Sequence, residues 1–119
     1  MLGQDFRVYS GADEMAMSGL AFGSDGIIGS TYNVIADLFI RLNKEMAAGK
    51  LLEVEKTQHA ANRLIFTMLK YDLMPALKAI LKSEGVDAGV CRRPFTRYTP
   101  EQEQAIVADF AGVKKELGL

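Results

Sequence analysis

The stretch that decides the fold is Phe6–Asn33, FRVYSGADEMAMSGLAFGSDGIIGSTYN. Phe6-Arg7-Val8-Tyr9 is a short aromatic and β-branched run stopped by Ser10-Gly11, and Gly26-Ile27-Ile28-Gly29 is a second apolar run stopped by Ser30-Thr31. Both read as brief buried strands. Between them Asp13-Glu14 precede Met15 to Phe22, enough for a short helix, and Gly23 stands where a helix leaves through a left-handed residue. The unit is strand, helix, strand. Two strands joined by a crossover helix in one sheet run parallel, so both end on the same side. Ser10 to Glu14 and Ser30 to Asn33 therefore share one rim. That rim is the end of the strands at which parallel sheets and barrels bind ligands.

A pair of parallel strands keeps two unpaired edges and lacks a covering layer on at least one face. The pattern thus calls for further strands, supplied by chain other than these residues. Met1 to Asp5 read as a lead-in to the first strand, and the chain beyond Ser30 reads as helical to the end. Asn33 is placed to cap a helix over Val34–Ala48, ended by Gly49, with Ile35, Leu38, Phe39, Leu42 and Met46 on its packing face. A second helix, from Leu51 to about Tyr71, puts Leu51, Val54, Ala61, Leu64, Ile65 and Met68 on one side. Asp72-Leu73-Met74-Pro75 breaks it, and a new helix continues from Ala76 to Ser83, ended by Gly85. Val86 to Tyr98 has no periodicity and reads as a loop. Thr99-Pro100-Glu101-Gln102 has the arrangement of a capping box, opening a last helix whose stripe is Ile106, Phe110, Val113 and Leu117.

The bulk properties narrow the function classes. The chain has 119 residues, 14 basic against 15 acidic, with no basic run, so it lacks the electrostatic footprint of a nucleic-acid or anionic-membrane partner. One cysteine forms no internal disulfide, which fits a reducing, cytoplasmic setting. The start has no charged, apolar and cleavage-site succession, and no apolar run approaches a membrane span. The glycines at 23, 26 and 29 match neither phosphate-binding spacing, and they enter a strand where a dinucleotide site would leave one. His59 is the one histidine of the chain and lies mid-helix, so a surface or packing role is expected and no metal site. Cys91 lies beside Arg92 without a neighbouring histidine and reads as a buried, inert thiol. Met15, Met17, Met46, Met68 and Met74 read as core filler.

Asp13 and Glu14 have a plain reading, in which they satisfy free N–H groups at a helix start. They also have a functional one, because carboxylates make strong, charge-assisted hydrogen bonds to hydroxyls, and Ser30 lies on the same rim. Here the residues carry a resemblance. Tyr9-Ser10-Gly11-Ala12-Asp13-Glu14, Gly19-Leu20 and Gly23-Ser24-Asp25-Gly26-Ile27-Ile28-Gly29-Ser30-Thr31-Tyr32-Asn33 resemble the seventh through eighth strands of the N-acetylneuraminate lyases. These are pyruvate-dependent class I aldolases on a (β/α)8 barrel, grouped with dihydrodipicolinate synthase. The likeness continues loosely to Cys91-Arg92-Arg93-Pro94-Phe95. Asp-Glu followed by Gly-Ser-Thr-Tyr-Asn favours the sialic-acid branch, since the dihydrodipicolinate branch resembles Gly-Asp-Asp and Gly-Val-Ile-Ser at these places.

The resemblance implies an α/β fold: the carboxyl-terminal portion of a (β/α)8 TIM barrel, two parallel strands in the order βαβα, followed by three terminal helices. Residues 1–49 would be the last two β/α units and 50–119 a helical extension. It implies Gly11, Asp13, Glu14 and Ser30 as substrate-binding residues that hold the hydroxyls of the sugar chain, with no acid or base among them. The family's reaction is reversible cleavage of N-acetylneuraminate to N-acetylmannosamine and pyruvate through a lysine imine, without metal or organic cofactor. The Schiff-base lysine and the proton-relaying tyrosine would lie before residue 1, so this chain alone is expected to be inactive. Sialic acid and pyruvate are the implied ligands, and a homo-oligomer or a chain carrying the missing strands the implied partner. A truncated product, half of a split enzyme and a non-catalytic assembly module remain open, as does a dihydrodipicolinate synthase-like aldolase.

Overall fold

Tyr9–Ser10 (β1) and Gly26–Ile27 (β2) pair in parallel, with Tyr9 opposite Gly26 and Ser10 opposite Ile27. The computed structural model describes residues 5–119, so the lead-in expected over residues 1–4 lies outside the described residues. Backbone bonds from Asp25 N–H to the Val8 carbonyl, 2.7 Å, and from Ile28 N–H to the Ser10 carbonyl, 2.9 Å, prolong the pairing at both ends. Asp25 fastens the entry from its side chain. One carboxylate oxygen accepts from Val8 N–H at 2.8 Å and the other meets Arg7 at 2.7 Å. The Val8 N–H first, then Arg7, hold the Asp25 carboxyl below its ordinary value.

The crossover is a 3-10 turn, Asp13–Met15, running into α1, Ala16–Ala21. Gly23, at φ +86, takes the left-handed turn that ends α1. The strands are shorter than the sequence suggests, and they are not buried: Val8 is 48% exposed, Tyr9 59% and Ile28 64%. Burial of a parallel strand comes from its neighbours in the sheet, and among the described residues no third strand pairs with either.

The structure divides into two compact units, Met1–Ala61 and Asn62–Leu119. In the first, α2 spans Tyr32–Ala47 and buries Val34, Ile35, Leu38, Phe39 and Leu42, with Met46 half-buried. The helix begins with Thr31 at the cap position, so Asn33 is not its cap. Asn33 sits inside the first turn and donates from Nδ2 to the Ser30 carbonyl at 2.8 Å. Ile35, at φ −137 and ψ 36, leaves helical geometry and separates that first turn from the rest of α2.

Helix α3, Leu51–Met68, runs through the boundary between the units. Val54 and Ala61 are buried in its first part and Leu64, Ile65 and Met68 in its second. Leu51, placed in that stripe by periodicity, is exposed, because as the first residue of the helix it has no preceding turn to pack with. Met15 and Met74 are likewise exposed rather than core filler, and Met17 is half-buried.

In the second unit α4 spans Leu73–Ser83, with Pro75 inside its first turn, where no N–H is needed. The helix therefore starts three residues earlier than Ala76. Residues 86–98 form the expected irregular segment. It is tied to the start of α4 by Thr96 N–H donating to the Asp72 carboxylate at 2.8 Å and Asp72 N–H donating to the Tyr98 hydroxyl at 2.7 Å. Cys91 in this segment is half-exposed, not buried, because the loop runs over the surface. The capping box forms as the sequence indicates: Thr99 N–H donates to Gln102 Oε1 at 2.9 Å and Gln102 N–H to Thr99 Oγ1 at 3.4 Å. It opens α5, Pro100–Glu116, which packs on α4 and buries Ile106 and Phe110, with Val113 and Leu117 half-buried. No helix of the described residues is long and apolar enough to cross a membrane.

Candidate functional site

The two loops that leave β1 and β2 meet at the rim. Gly11 follows β1 directly and is exposed; Asp13 and Glu14 form the 3-10 turn; Ser30 and Thr31 follow β2 and lead into α2. Asp13 is buried, at 7% exposure. Its Oδ2 accepts from Thr31 N–H at 3.0 Å and from the Thr31 hydroxyl at 2.5 Å. These bonds join the loop after β1 to the loop after β2, across 18 residues of sequence.

The capping reading of Asp13 is not what the structure shows. The turn begins after Ala12 with no side-chain cap, and the Asp13 carboxylate points to Thr31 instead. Thr31 in turn makes no side-chain cap for α2, since its hydroxyl is given to Asp13. Gly29 makes room for this contact. A Cβ there would stand 1.6 Å from Asp13 Oδ1, far inside any allowed separation. Gly19 of α1 plays a similar part against β1, where a Cβ would stand 2.3 Å from Ser10 Cβ.

A residue distant in sequence holds the turn from behind. Gln58 of α3 is buried, accepts from Met17 N–H at 2.8 Å and donates from Nε2 to the Asp13 carbonyl at 3.1 Å. Tyr32 stands beside the rim with its ring 4.0 Å from that of Phe39, and its phenol oxygen is buried without a hydrogen-bond partner. Burial first, then the negative charges of Asp13 and Glu14, push its pKa well above the ordinary phenol value. A neutral phenol near two carboxylates is the physical consequence.

The four residues picked from sequence thus lie on one rim in unlike situations. Glu14 is exposed on the turn, Ser30 is half-buried with its carbonyl engaged by Asn33, Gly11 is open, and Asp13 is committed on one oxygen to Thr31. The sequence places Thr31 on the rim but not as the partner of Asp13, and it gives Gly29 and Gln58 no part in the site. The first two lie inside the Gly-Ser-Thr-Tyr-Asn stretch, where their side-chain roles have no local signature; Gln58 has no signal at all, being one polar residue within a helical pattern. His59 is exposed, and no group of three metal-ligating side chains occurs among the described residues. The arrangement offers carboxylate acceptors, a serine hydroxyl and open backbone at a glycine, which suits a ligand rich in hydroxyl groups.

The chain is similar to known proteins over most of its length. It is 44% identical over 93 residues to the N-acetylneuraminate lyase of Rhizobium meliloti (strain 1021), covering 78% of this chain and 31% of that protein. It is 40% identical over 102 residues to the N-acetylneuraminate lyase of Haemophilus influenzae, covering 86% and 35%. Among solved structures, the Ruminococcus gnavus sialic acid aldolase superposes with a TM-score of 0.82 at 32% identity, over 96% of this chain and 40% of that one. CdNal from Clostridium difficile, solved in complex with mannosamine, superposes with a TM-score of 0.84 at 31% identity, over 90% and 37%. The chain spans 31% and 35% of the length of the first two relatives. The profile of the Dihydrodipicolinate synthetase family matches residues 1–112. The chain belongs to that family, and within it resembles the N-acetylneuraminate lyases.

Proposed function

We propose that this chain is the sugar-pocket segment of an N-acetylneuraminate lyase, an enzyme that reversibly cleaves N-acetylneuraminate to N-acetylmannosamine and pyruvate through a lysine imine. The observation that carries the reading is the rim itself: Asp13 and Glu14 on one loop and Ser30 on the next, joined by the Asp13–Thr31 bonds, in a chain 44% identical to such a lyase. Residues 1–49 are the last two β/α units of a (β/α)8 barrel and 50–119 its carboxyl-terminal helical extension. Gly11, Glu14 and Ser30 position the hydroxyls of the sugar tail, with Asp13 contributing through the oxygen that Thr31 does not occupy. Charged acceptors bind hydroxyls more strongly than neutral ones and orient the bond to be broken.

The imine-forming lysine belongs to another part of the barrel. Every lysine of this chain lies on a helix or beside a helix end, and none lies on β1 or β2. A Schiff-base lysine needs a desolvated pocket to lower its pKa. The chemistry requires neither a metal nor an organic cofactor. The exposed faces of Val8, Tyr9 and Ile28 favour further strands packed beside β1 and β2, from the rest of the barrel or a partner chain.

Trapping with pyruvate and borohydride tests this division of labour. The 119-residue chain should show no mass increase. A chimera, in which this chain replaces the matching region of the Rhizobium meliloti lyase, should be labelled on a lysine of the relative's part and cleave N-acetylneuraminate. An adduct on a lysine of this chain, or a folded chimera that forms the imine without cleaving the sugar, would refute the reading.

A further inference from the structure

Gln58, on α3, is among the polar side chains buried in the described residues. The turn it touches needs outside help. Ala12 and Met15, which precede the 3-10 turn and α1, provide no side-chain cap; Ala16 N–H reaches the Asp13 carbonyl, and Met17 N–H takes its acceptor from outside the turn. The Gln58 amide bonds the turn at two points: its oxygen accepts from Met17 N–H at 2.8 Å and its nitrogen donates to the Asp13 carbonyl at 3.1 Å. A primary amide carries donor and acceptor on one rigid plane. Leucine would offer neither, and glutamate would offer acceptors only while placing another negative charge behind Asp13 and Glu14.

Asp13 is consequently held from both sides, at its carbonyl by Gln58 and at its carboxylate by Thr31. We infer that Gln58 is a positioning residue: it sets the acidic turn against the Ser30-Thr31 loop and so fixes where Asp13 and Glu14 meet the hydroxyls of a sugar acid. The effect on sugar binding rests on the proposed lyase function; the hold on the turn does not.

Nuclear magnetic resonance of the 119-residue chain reads the hold directly. In Gln58→Leu the Met17 amide should exchange with solvent at least about tenfold faster, the equivalent of one lost hydrogen bond. The Thr31 amide proton, carried downfield by its carboxylate bond, should move upfield, while the amides of Ile106 and Phe110 keep their protection. Gln58→Glu, which retains an acceptor for Met17, should keep that amide protected yet still shift Thr31, and it serves should the leucine variant fail to fold. Unchanged Met17 and Thr31 signals in the variants would overturn the inference. In the chimera, Gln58→Glu should raise KM for N-acetylneuraminate about tenfold with kcat within about twofold. Altered Thr31 signals with an unchanged KM, or a fall in kcat alone, would overturn the positioning role. Altered signals in a chimera whose parent cleaves no sugar would instead sink the sugar-pocket reading and leave the hold on the turn standing.

Discussion

Asp13 and Thr31 are joined twice, by the Thr31 hydroxyl at 2.5 Å and the Thr31 N–H at 3.0 Å, both on the same carboxylate oxygen. A buried carboxylate is costly unless donors surround it, and these donors come from the loop after the other strand. The bond therefore aligns the two loop ends and makes the rim a single unit. Thr31→Val keeps the shape and the N–H bond but removes the hydroxyl. It should cost about 1.5–3 kcal/mol, the range for a hydrogen bond to a charged group, read by urea denaturation. A loss under about 0.5 kcal/mol would mean that the hydroxyl bond does not hold the rim.

Gly29→Ala tests the same contact from its other side. The new methyl would collide with the Asp13 carboxylate, and relieving the clash must push the carboxylate away from Thr31. A destabilisation of about 1–3 kcal/mol is expected, with the Thr31 amide resonance displaced. An alanine tolerated with that resonance unmoved would contradict the close approach.

Tyr32→Phe should act in the opposite direction. The phenol oxygen is buried and unpartnered, so removing it relieves a desolvation cost while the ring contact with Phe39 remains. Denaturation of the 119-residue chain should show a gain of about 1 kcal/mol. A loss of similar size would show that the hydroxyl is satisfied.

The acid side of the stability profile is set in part by Asp25 and Glu45. Arg41 at 2.8 Å, then the Thr57 hydroxyl, hold the Glu45 carboxyl below its ordinary value, as Val8 N–H and Arg7 do for Asp25. Each group regains its ordinary pKa on unfolding. Their contribution is therefore full above the unfolded values and is lost as pH falls through the depressed folded ones. The denaturation midpoint should hold from pH 7 to about 5 and fall below about pH 4. Glu45→Gln should lower the neutral plateau and flatten that limb; an unchanged slope in the double substitution with Asp25→Asn would count against it.

Much of the fold was legible in the sequence wherever the cause is local. The left-handed Gly23 and the Thr99–Gln102 capping box depend on the residues themselves and their nearest neighbours, and each formed where its chemistry places it, whereas Pro75, read as part of a break, sits inside the first turn of α4. Asn33 reads as the cap of the next helix, whereas the fold puts Thr31 at the cap position and Asn33 inside the first turn. Burial was less legible. The apolar runs around β1 and β2 look interior, yet burial belongs to the strands beside them. The rim's position was visible from the parallel crossover, whereas Asp13's partner lies 18 residues away and Gln58's partners 41 and 45, distances no periodicity spans.

The measurement that tests the central claim most directly is steady-state cleavage of N-acetylneuraminate by the chimera carrying Ser30→Ala or Glu14→Gln, with imine formation from pyruvate followed in parallel. If this segment supplies the sugar-positioning rim, each variant should lose at least about tenfold in kcat/KM for the sugar acid, while borohydride trapping of pyruvate stays within about twofold of the parent chimera. Full cleavage by both variants, or an equal loss of sugar cleavage and pyruvate trapping, would contradict it.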